Sequence, residues 1–351
     1  MTLQQLLGIE LPIIQAPMAG VQGSALAIAV SNAGGLGSLP CAMLTPDAIR
    51  SELATIKAQT DKPFNVNFFC HKPPTPDAVR EATWRAALSP YYQAYGIDSA
   101  TIPTGAGRTP FSAEAADLLA EFKPPVVSFH FGLPEPALVA RVKALGAKIL
   151  ASATTVAEAR WLEAQGVDAI IAQGAEAGGH RGIFLSADLT TQVGTFALVP
   201  QIVQAVQVPV IAAGAIADAQ GVAAAMALGA TGVQVGTAYL LCPEATTSAI
   251  HRAALKSEAA EHTALTNLFT GRPARGIVNR IMRELGPISS VPPAFPLATA
   301  AIAPLRAQAE SRGLGDFSPL WAGQNVRGCK EIPAAQLTQE LAAGVSRHSQ
   351  A

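Results

Sequence analysis

The sequence has little charge and no run of charged residues of one sign. Charged residues make up 14% of the 351 residues, and the formal net charge is −1 at pH 7. Nucleic-acid-binding proteins usually carry a basic face, and no cluster of lysine and arginine residues stands out here. We therefore expect no nucleic-acid partner and favour a small-molecule ligand.

Cysteine is also scarce. Cys41, Cys70, Cys242 and Cys329 lie far apart and form no CxxC pair. Structural zinc sites and redox pairs need closely spaced thiols, so no metal is expected. Scattered thiols are typical of a reducing compartment, and the first residues, MTLQQLLGIELP, lack the basic and apolar regions of a signal peptide. The sequence therefore predicts a cytoplasmic protein.

No apolar run is long enough to cross a bilayer, although hydrophobic residues reach 50%. Over residues 189–243 the only formally charged residue is Asp218, but prolines, glutamines and glycines interrupt the segment. A membrane-spanning helix needs about 20 consecutive apolar residues. Parallel strands that are buried on both faces produce the same composition in soluble proteins. We therefore expect no membrane segment.

Short apolar segments alternate with alanine-rich stretches of helical spacing. The apolar segments cover residues 12–18, 35–39, 64–69, 126–131, 148–153, 169–174, 209–214 and 232–240. Eight such βα units within about 240 residues predict a (β/α)8 TIM barrel of parallel strands. A doubly wound sheet is the alternative, but the turn Pro17-Met-Ala-Gly20 lacks its GxGxxG signature.

Two connections are longer than a βα turn requires. They lie at about 70–125 and 176–208 and predict insertions at the rim of the barrel. The first contains Tyr91, Tyr92 and Tyr95, which we expect to pack an inserted helix, although they could instead form a wall of the substrate site. Beyond residue 243 charge and proline increase. We expect a barrel domain that binds the ligand over 1–243 and a C-terminal helical cap or substrate lobe over 244–351.

The segment AQGAEAGGHRG, residues 172–182, combines an amide side chain, adjacent glycines and a histidine. Glycines let a backbone approach a ligand closely, and a histidine exchanges a proton near neutral pH. The segment follows an apolar strand, so it would lie at the carboxyl-terminal rim where barrel enzymes build their sites. We therefore take His180 as a candidate base.

The ends of the other strands would converge on the same rim. The residues expected there include Met18, Asn67, His130, Ser152, Gln173, Gly214, Gly236 and Thr237. Amide side chains suit the edge of a pyrimidine-like ring. The loops after the last two barrel strands form the phosphate site in many barrels. A phosphate site at one end and a heteroaromatic ring at the other predict FMN.

Five motifs together resemble those of the nitronate monooxygenases, formerly called 2-nitropropane dioxygenases, which are FMN-dependent barrel enzymes. The motifs are PIIQAPMAG, FNVNFF, AIIAQGAEAGGHRG, PVIAAGAI and GVQVGTAYL. The resemblance covers residues 12–241 and continues more loosely through GRPAR (271–275) and WAGQ (321–324). It implies that His180 is the catalytic base. With Met18 from the strand ends, the expected cofactor contacts are Met18, Asn67, Gln173, Gly178, Gly179, Gly214, Gln234, Val235, Gly236 and Thr237.

The resemblance also implies a reaction. Members oxidise alkyl nitronates such as propionate 3-nitronate, and some oxidise neutral nitroalkanes, with molecular oxygen and no nicotinamide. A nitroalkane would first lose its α-proton to His180, whereas a pre-formed nitronate needs no base. One electron then passes to the flavin, and oxygen reacts with the resulting radical pair. A detoxifying monooxygenase that works as a monomer or homodimer is expected.

His130 is open to two interpretations. At the end of a strand it could hold an anionic group of the substrate, or it could be a buried histidine bonded to backbone carbonyls. We expect His71, His251, His262 and His348 to be solvated. Arg272, Arg275, Arg280 and Arg283 are expected to form a salt-bridged surface of the cap.

Three other functions fit parts of the pattern. An FMN-dependent NAD(P)H enoyl-acyl-carrier-protein reductase carries a similar AGGH segment on a similar barrel, and an NADH:quinone reductase is related. A non-catalytic flavin-binding protein would not need His180 in the glycine loop. Because a fold does not determine a reaction, the site must discriminate among them.

Overall fold

A computed structural model describes residues 2–102 and 108–349, with the backbone alone for residues 346–349. Its main sheet has eight parallel strands. They are β1 (Ile13–Gln15), β2 (Gly37–Pro40), β3 (Phe64–Phe69), β4 (Val126–His130), β5 (Lys148–Ala153), β6 (Ala169–Gln173), β8 (Val210–Ala213) and β9 (Gly232–Val235). A second, antiparallel sheet consists of β7 (Gly179–His180), β10 (Thr263–Thr266) and β11 (Ala274–Ile277).

The main sheet closes into a barrel. Its order is β1-β9-β8-β6-β5-β4-β3-β2, and a parallel bridge between Ile14 and Leu36 joins the two outer strands. The Gln15 N–H donates to the Leu36 carbonyl at 3.0 Å. The predicted TIM barrel is therefore confirmed, with one strand in each predicted apolar segment. The last strand ends early because the chain turns at Gly236 into a 3₁₀ helix over Thr237–Leu241.

Helices cover the outside of the barrel. They are α2 (Ser24–Asn32), α3 (Pro46–Gln59), α5 (Ala113–Phe122), α6 (Pro136–Ala144), α7 (Val156–Ala164), α8 (Thr195–Ala205) and α9 (Ala219–Ala227). The remaining helices are α1 (Leu3–Leu7), α4 (Ala78–Tyr95), α10 (Ala249–Leu255), α11 (Arg280–Glu284), α12 (Ala298–Ser311) and α13 (Ala334–Ser349). Asp218 caps α9 by accepting a hydrogen bond from the Gly221 N–H. Across the described ranges, no helix has both the length and the apolar character that a bilayer crossing requires.

The inward-facing side chains change from apolar to polar along the strands. Near the amino ends, an apolar cluster joins the barrel interior to α1, through Leu3, Leu7, Ile14, Leu36, Val126, Leu150, Ile171 and Ile211. Farther along the strands, the inward residues are Ser38, Asn67, Ser128, Ser152, Gln173 and Gln234. A ligand with polar edges would therefore bind at the carboxyl end.

The first insertion builds a second hydrophobic core with the C-terminal part of the chain. Tyr92 is buried in this core and donates a hydrogen bond to the Ala301 carbonyl of α12 at 2.7 Å. Tyr91 and Tyr95 pack edge-on against Phe317. The prediction that these tyrosines pack an inserted helix is confirmed. Residues 103–107 of this insertion lie outside the described residues.

The chain beyond residue 243 contributes to both cores. α12 packs against α4, whereas α13 returns to the barrel and packs against α9 and α2. Gly344 permits the close approach of α13, because a Cβ there would lie 2.1 Å from the Ala219 carbonyl oxygen. The division into domains at 1–243 and 244–351 stays a prediction.

Candidate active site

A cavity opens at the carboxyl ends of the barrel strands. The predicted site residues that line it are Met18, Asn67, His130, Gln173, Gly178, Gly179, His180, Gly214, Gln234, Gly236 and Thr237. Val235 does not line it, because its side chain is 1% exposed and lies in the core between strands and helices. Successive residues of a strand face opposite sides, so an inward Gln234 requires an outward Val235. A contact between Val235 and the cofactor would therefore have to come from its backbone, and it stays a prediction.

The second insertion places His180 at the edge of this cavity. β7 pairs with β11, with Ala274 opposite His180. The His180 carbonyl accepts hydrogen bonds from Gln173 Nε2 at 3.0 Å and from His130 Nε2 at 3.1 Å. Gln173 Oε1 in turn accepts from the Gly182 N–H at 2.7 Å. Two residues at barrel strand ends therefore fix the backbone on both sides of Arg181.

Arg181 holds the same loop against the carboxyl end of β6. It is buried and donates to the carbonyls of Gly174 at 2.7 Å and Gln173 at 2.8 Å. Glu176 accepts from the Thr195 N–H at 2.8 Å and so caps α8. Because α8 is a barrel helix, the inserted part covers about residues 174–194 and is shorter than the predicted 176–208.

His130 has partners for both ring nitrogens. A carbonyl only accepts, so His130 Nε2 carries the proton that it donates to the His180 carbonyl. His130 Nδ1 then accepts from Ser152 Oγ at 2.9 Å. Burial, with a smaller contribution from Arg272 and Arg181, lowers the pKa of His130 to about 3. The ring is neutral at pH 7, and its one N–H is bonded to a backbone carbonyl, as in the second of the two interpretations. A contact between His130 and the substrate stays a prediction.

The His180 ring lies in an aromatic setting. Its centroid is 5.4 Å from that of Phe295 and 5.6 Å from that of Trp321. His180 Nε2 lies 2.9 Å from Thr270 Oγ1, and Nδ1 has no hydrogen-bond partner in the described part of the chain. Burial and then the charge of Arg108 hold the pKa of His180 well below 6.5. The imidazole is therefore neutral at pH 7.

The charges of two buried arginines, Arg108 and Arg272, act on this ring. In the described ranges neither Arg108 nor Arg272 forms an ion pair, and Arg108 Nη1 and Arg272 Nε are buried without a hydrogen-bond partner. The Arg272 guanidinium lies 3.9 Å from the centroid of Phe131. Burial lowers the pKa of each guanidinium to about 10, so both are charged at pH 7. A buried charge without a counter-ion is costly, which favours an anionic ligand here.

The predicted basic surface of the cap is only partly correct. Arg280 pairs with Glu284 at 2.8 Å on the surface. The Arg272 guanidinium, however, stacks on Phe131 and donates to the Ile183 carbonyl, and the buried Arg275 donates to the Ala175 carbonyl at 2.9 Å. The pairing of β11 with β7 places Arg275 opposite Gly179, which the charge pattern alone does not indicate.

Two histidines that we expected in solvent are buried. His71 is 5% and His251 is 3% exposed, whereas His262 is exposed as predicted. The side chain of His348 lies outside the described residues. Burial lowers the pKa of both His71 and His251 to about 4. His251 lines the cavity, and its Nε2 has no hydrogen-bond partner within residues 2–102 and 108–349.

Sequence reasoning missed the site residues that come from the insertion and the C-terminal segment. These are Arg108, Thr270, Arg272, His251 and Trp321. Arg272 and Trp321 do fall in the GRPAR and WAGQ motifs. Those motifs could have indicated Arg272 and Trp321, but they do not lie at the end of a predicted barrel strand, so the sequence did not place them at the rim.

The cavity walls suit a flavin nucleotide. Gln234 Oε1 is a buried acceptor without a partner, as the edge of a heterocycle would need. Gly179 has φ +69° and open space around its Cβ position, whereas a Cβ on Gly214 would lie 2.6 Å from Thr195 Oγ1. The lining around Gly214 and Gly236 contains no lysine or arginine, so a phosphate there would rely on backbone N–H groups. Within the described ranges no group of three His, Cys, Asp or Glu side chains is placed to hold a metal ion.

Comparison with known proteins points to one family. The profile of the family described as nitronate monooxygenase matches residues 1–344. A nitronate monooxygenase of Paraburkholderia phytofirmans is 46% identical over 96% of this chain and 92% of its own. One of Pseudomonas aeruginosa is 43% identical over 96% and 97%. The structure of a nitroalkane oxidase from Streptomyces ansochromogenes superposes with a TM-score of 0.89 at 38% identity, covering 99% of both chains.

Proposed function

Because the chain belongs to the nitronate monooxygenase family, whose members are flavin-dependent oxidoreductases, we propose that it oxidises alkyl nitronates with FMN and molecular oxygen. The observation that carries the proposal is the charge of the cavity. In the described part of the chain neither Arg108, which lines the cavity, nor Arg272, which stacks on Phe131, forms an ion pair, and both charges act on a neutral His180. A nitronate is an anion and would supply the missing negative charge.

The residues for FMN follow from the cavity walls. Asn67 and Gln234 would bind the edge of the heterocycle, and Gly178 and Gly179 would let the backbone approach it. The backbone around Gly214, Gly236 and Thr237 would hold the phosphate. Bound FMN would supply the redox chemistry, while the protein positions the substrate and excludes water.

The same residues favour a nitronate over a neutral nitroalkane. A pre-formed nitronate needs no base, so the arginines only have to attract and orient it. A nitroalkane must first transfer its α-proton to His180, and burial together with Arg108 opposes a second positive charge there. We therefore expect proton abstraction to be slow. Propionate 3-nitronate, with two negative charges, would neutralise both arginines.

Anaerobic mixing tests the proposal. The purified protein should be yellow, its flavin absorbance should change with propionate 3-nitronate, and oxygen should restore it. NADH should leave the spectrum unchanged over the same time. Rapid bleaching by NADH would instead indicate a reductase. A protein that binds no added FMN would contradict the assignment of the cavity.

A further inference from the structure

Thr270 occupies a rigid turn next to His180. The turn joins β10 to β11, and Thr270 is 3% exposed. Gly271 makes the turn possible, because it has φ +85° and a Cβ there would lie 2.1 Å from the Pro293 carbonyl oxygen. β11 follows directly and pairs with β7. The backbone therefore sets the distance between Thr270 and His180, and the side chain has little freedom to change it.

Three polar atoms surround the Thr270 hydroxyl oxygen. The Arg272 N–H donates to it at 3.4 Å, and the Arg272 carbonyl oxygen lies 3.3 Å away. His180 Nε2 is the third, at 2.9 Å. The hydroxyl has a single proton. If that proton goes to the Arg272 carbonyl, His180 Nε2 must donate, and all three contacts are hydrogen bonds. If the hydroxyl proton is donated to His180 Nε2 instead, no proton lies between the hydroxyl and the Arg272 carbonyl, and that hydrogen bond is lost.

We propose that Thr270 is a positioning residue that selects the Nε2–H tautomer of His180. Nδ1 is then the unprotonated nitrogen, and it is the one without a partner among the described residues. A base that is oriented by a third group is a common catalytic arrangement, and the orienting group is often a carboxylate. A hydroxyl fixes the tautomer without adding a negative charge. The cavity therefore keeps the positive potential of Arg108 and Arg272 for an anionic substrate.

The catalytic consequence rests on the proposed function. When a neutral nitroalkane binds, its α C–H bond breaks and the proton forms an N–H bond at His180 Nδ1. The electron pair of the C–H bond stays on the substrate, which becomes the nitronate. His180 then carries a proton on each nitrogen and returns one of them to solvent. The tautomer itself does not depend on this step.

The tautomer can be measured directly by NMR. Long-range ¹H–¹⁵N spectra of protein labelled at the histidine rings, with its cofactor bound, distinguish Nε2–H from Nδ1–H, and the loss of one pattern in H180Q assigns His180. We expect the Nε2–H pattern in the parent and in T270S, and a mixed or Nδ1–H pattern in T270V. An Nδ1–H pattern in the parent, or an unchanged pattern in a folded T270V protein, would overturn the proposal.

Kinetics separates this role from a structural one. T270V should lower kcat/KM for a neutral nitroalkane about 10- to 100-fold, a part of what a positioned base contributes. T270S should recover it, and in both variants kcat/KM for the pre-formed nitronate should fall by a smaller factor than for the nitroalkane. Equal losses with both substrates would show a structural role and overturn the catalytic assignment. If the parent oxidises no nitronate, the proposed function fails, and the NMR result still decides the tautomer.

Discussion

His180 is a neutral base in a positive setting, which makes its role specific to one kind of substrate. We expect H180N to lower kcat/KM for a neutral nitroalkane by about 100-fold or more, because a positioned base contributes roughly 10²- to 10⁴-fold. The same variant should oxidise pre-formed nitronate at nearly the parent rate. Steady-state oxygen consumption with each substrate measures both. Parent-level turnover of the nitroalkane would show that another group is the base.

The low pKa of His180 also sets a pH dependence. A base is lost as the pH falls through its pKa, and this pKa lies well below 6.5 because of burial and the charge of Arg108. We therefore expect kcat/KM for the neutral nitroalkane to stay level from pH 7.5 down to 6.5 and to fall only at lower pH. A decline centred near 6.5 would mean that the ring is solvated in the working enzyme.

Arg108 is a second residue whose effect on substrate binding can be tested. Its buried Nη1 has no hydrogen-bond partner in the described part of the chain and would bind a negative group. A hydrogen bond to a charged group is worth about 1.5–3 kcal/mol, or roughly 10- to 150-fold in affinity. R108M should therefore raise KM for propionate 3-nitronate by that order and affect propyl-1-nitronate less. R141M, which removes a surface ion pair with Asp117, is the control. Equal increases in KM for both nitronates would exclude recognition of the second charge by Arg108.

At the scale of elements, the glycine loop and the C-terminal segment depend on each other. A Cβ on Gly178 would lie 2.6 Å from the Gly323 nitrogen and 2.7 Å from the Ala322 carbonyl carbon. Both atoms are backbone, so G178A must separate the loop from residues 322–323. We expect lower FMN content per protein, measured by absorbance after gel filtration.

Gly146 provides the matched control for that variant. It has φ +83° with nothing within 4 Å of its Cβ position, and it is remote from the cavity lining. G146A should cost about 1 kcal/mol of stability through backbone strain and leave the FMN content unchanged. If G178A retains a full complement of FMN, the two elements are not coupled through this contact.

The strand pattern predicted the barrel half of the site but not the other half. Asn67, Gln173 and Gln234 could be placed because parallel strands bring their carboxyl ends to one rim. Arg108 and Thr270 could not, since they reach the cavity through an insertion and a turn that have no fixed period. The motif match that placed Val235 does not show which side of the strand a residue faces, and the Val235 side chain lies in the core, so only its backbone could contact FMN.

Acid sensitivity is a property of the whole molecule. His71, His130, His180 and His251 all have pKa values lowered by burial, so the folded protein keeps them neutral. The unfolded chain binds protons at these residues near pH 6.5. Where the unfolded state binds more protons than the folded state, the free energy of unfolding falls as the pH is lowered. These histidines should therefore not reduce the free energy of unfolding above about pH 6.5, and they should reduce it increasingly as the pH drops toward 4.

His251 allows a quantitative test. Burial, and to a smaller extent Arg306, lowers its pKa to about 4, although a hydrogen bond to the Trp321 backbone raises it partly. By linkage, this histidine alone should remove about 2 kcal/mol of stability between pH 7 and pH 5. H251Q cannot be protonated, so its stability should fall by about that much less than the parent's over the same range. H262Q, at an exposed site, should fall as the parent does. Urea unfolding with FMN in excess at both pH values measures the difference, and parallel slopes for H251Q and the parent would show that His251 is solvated.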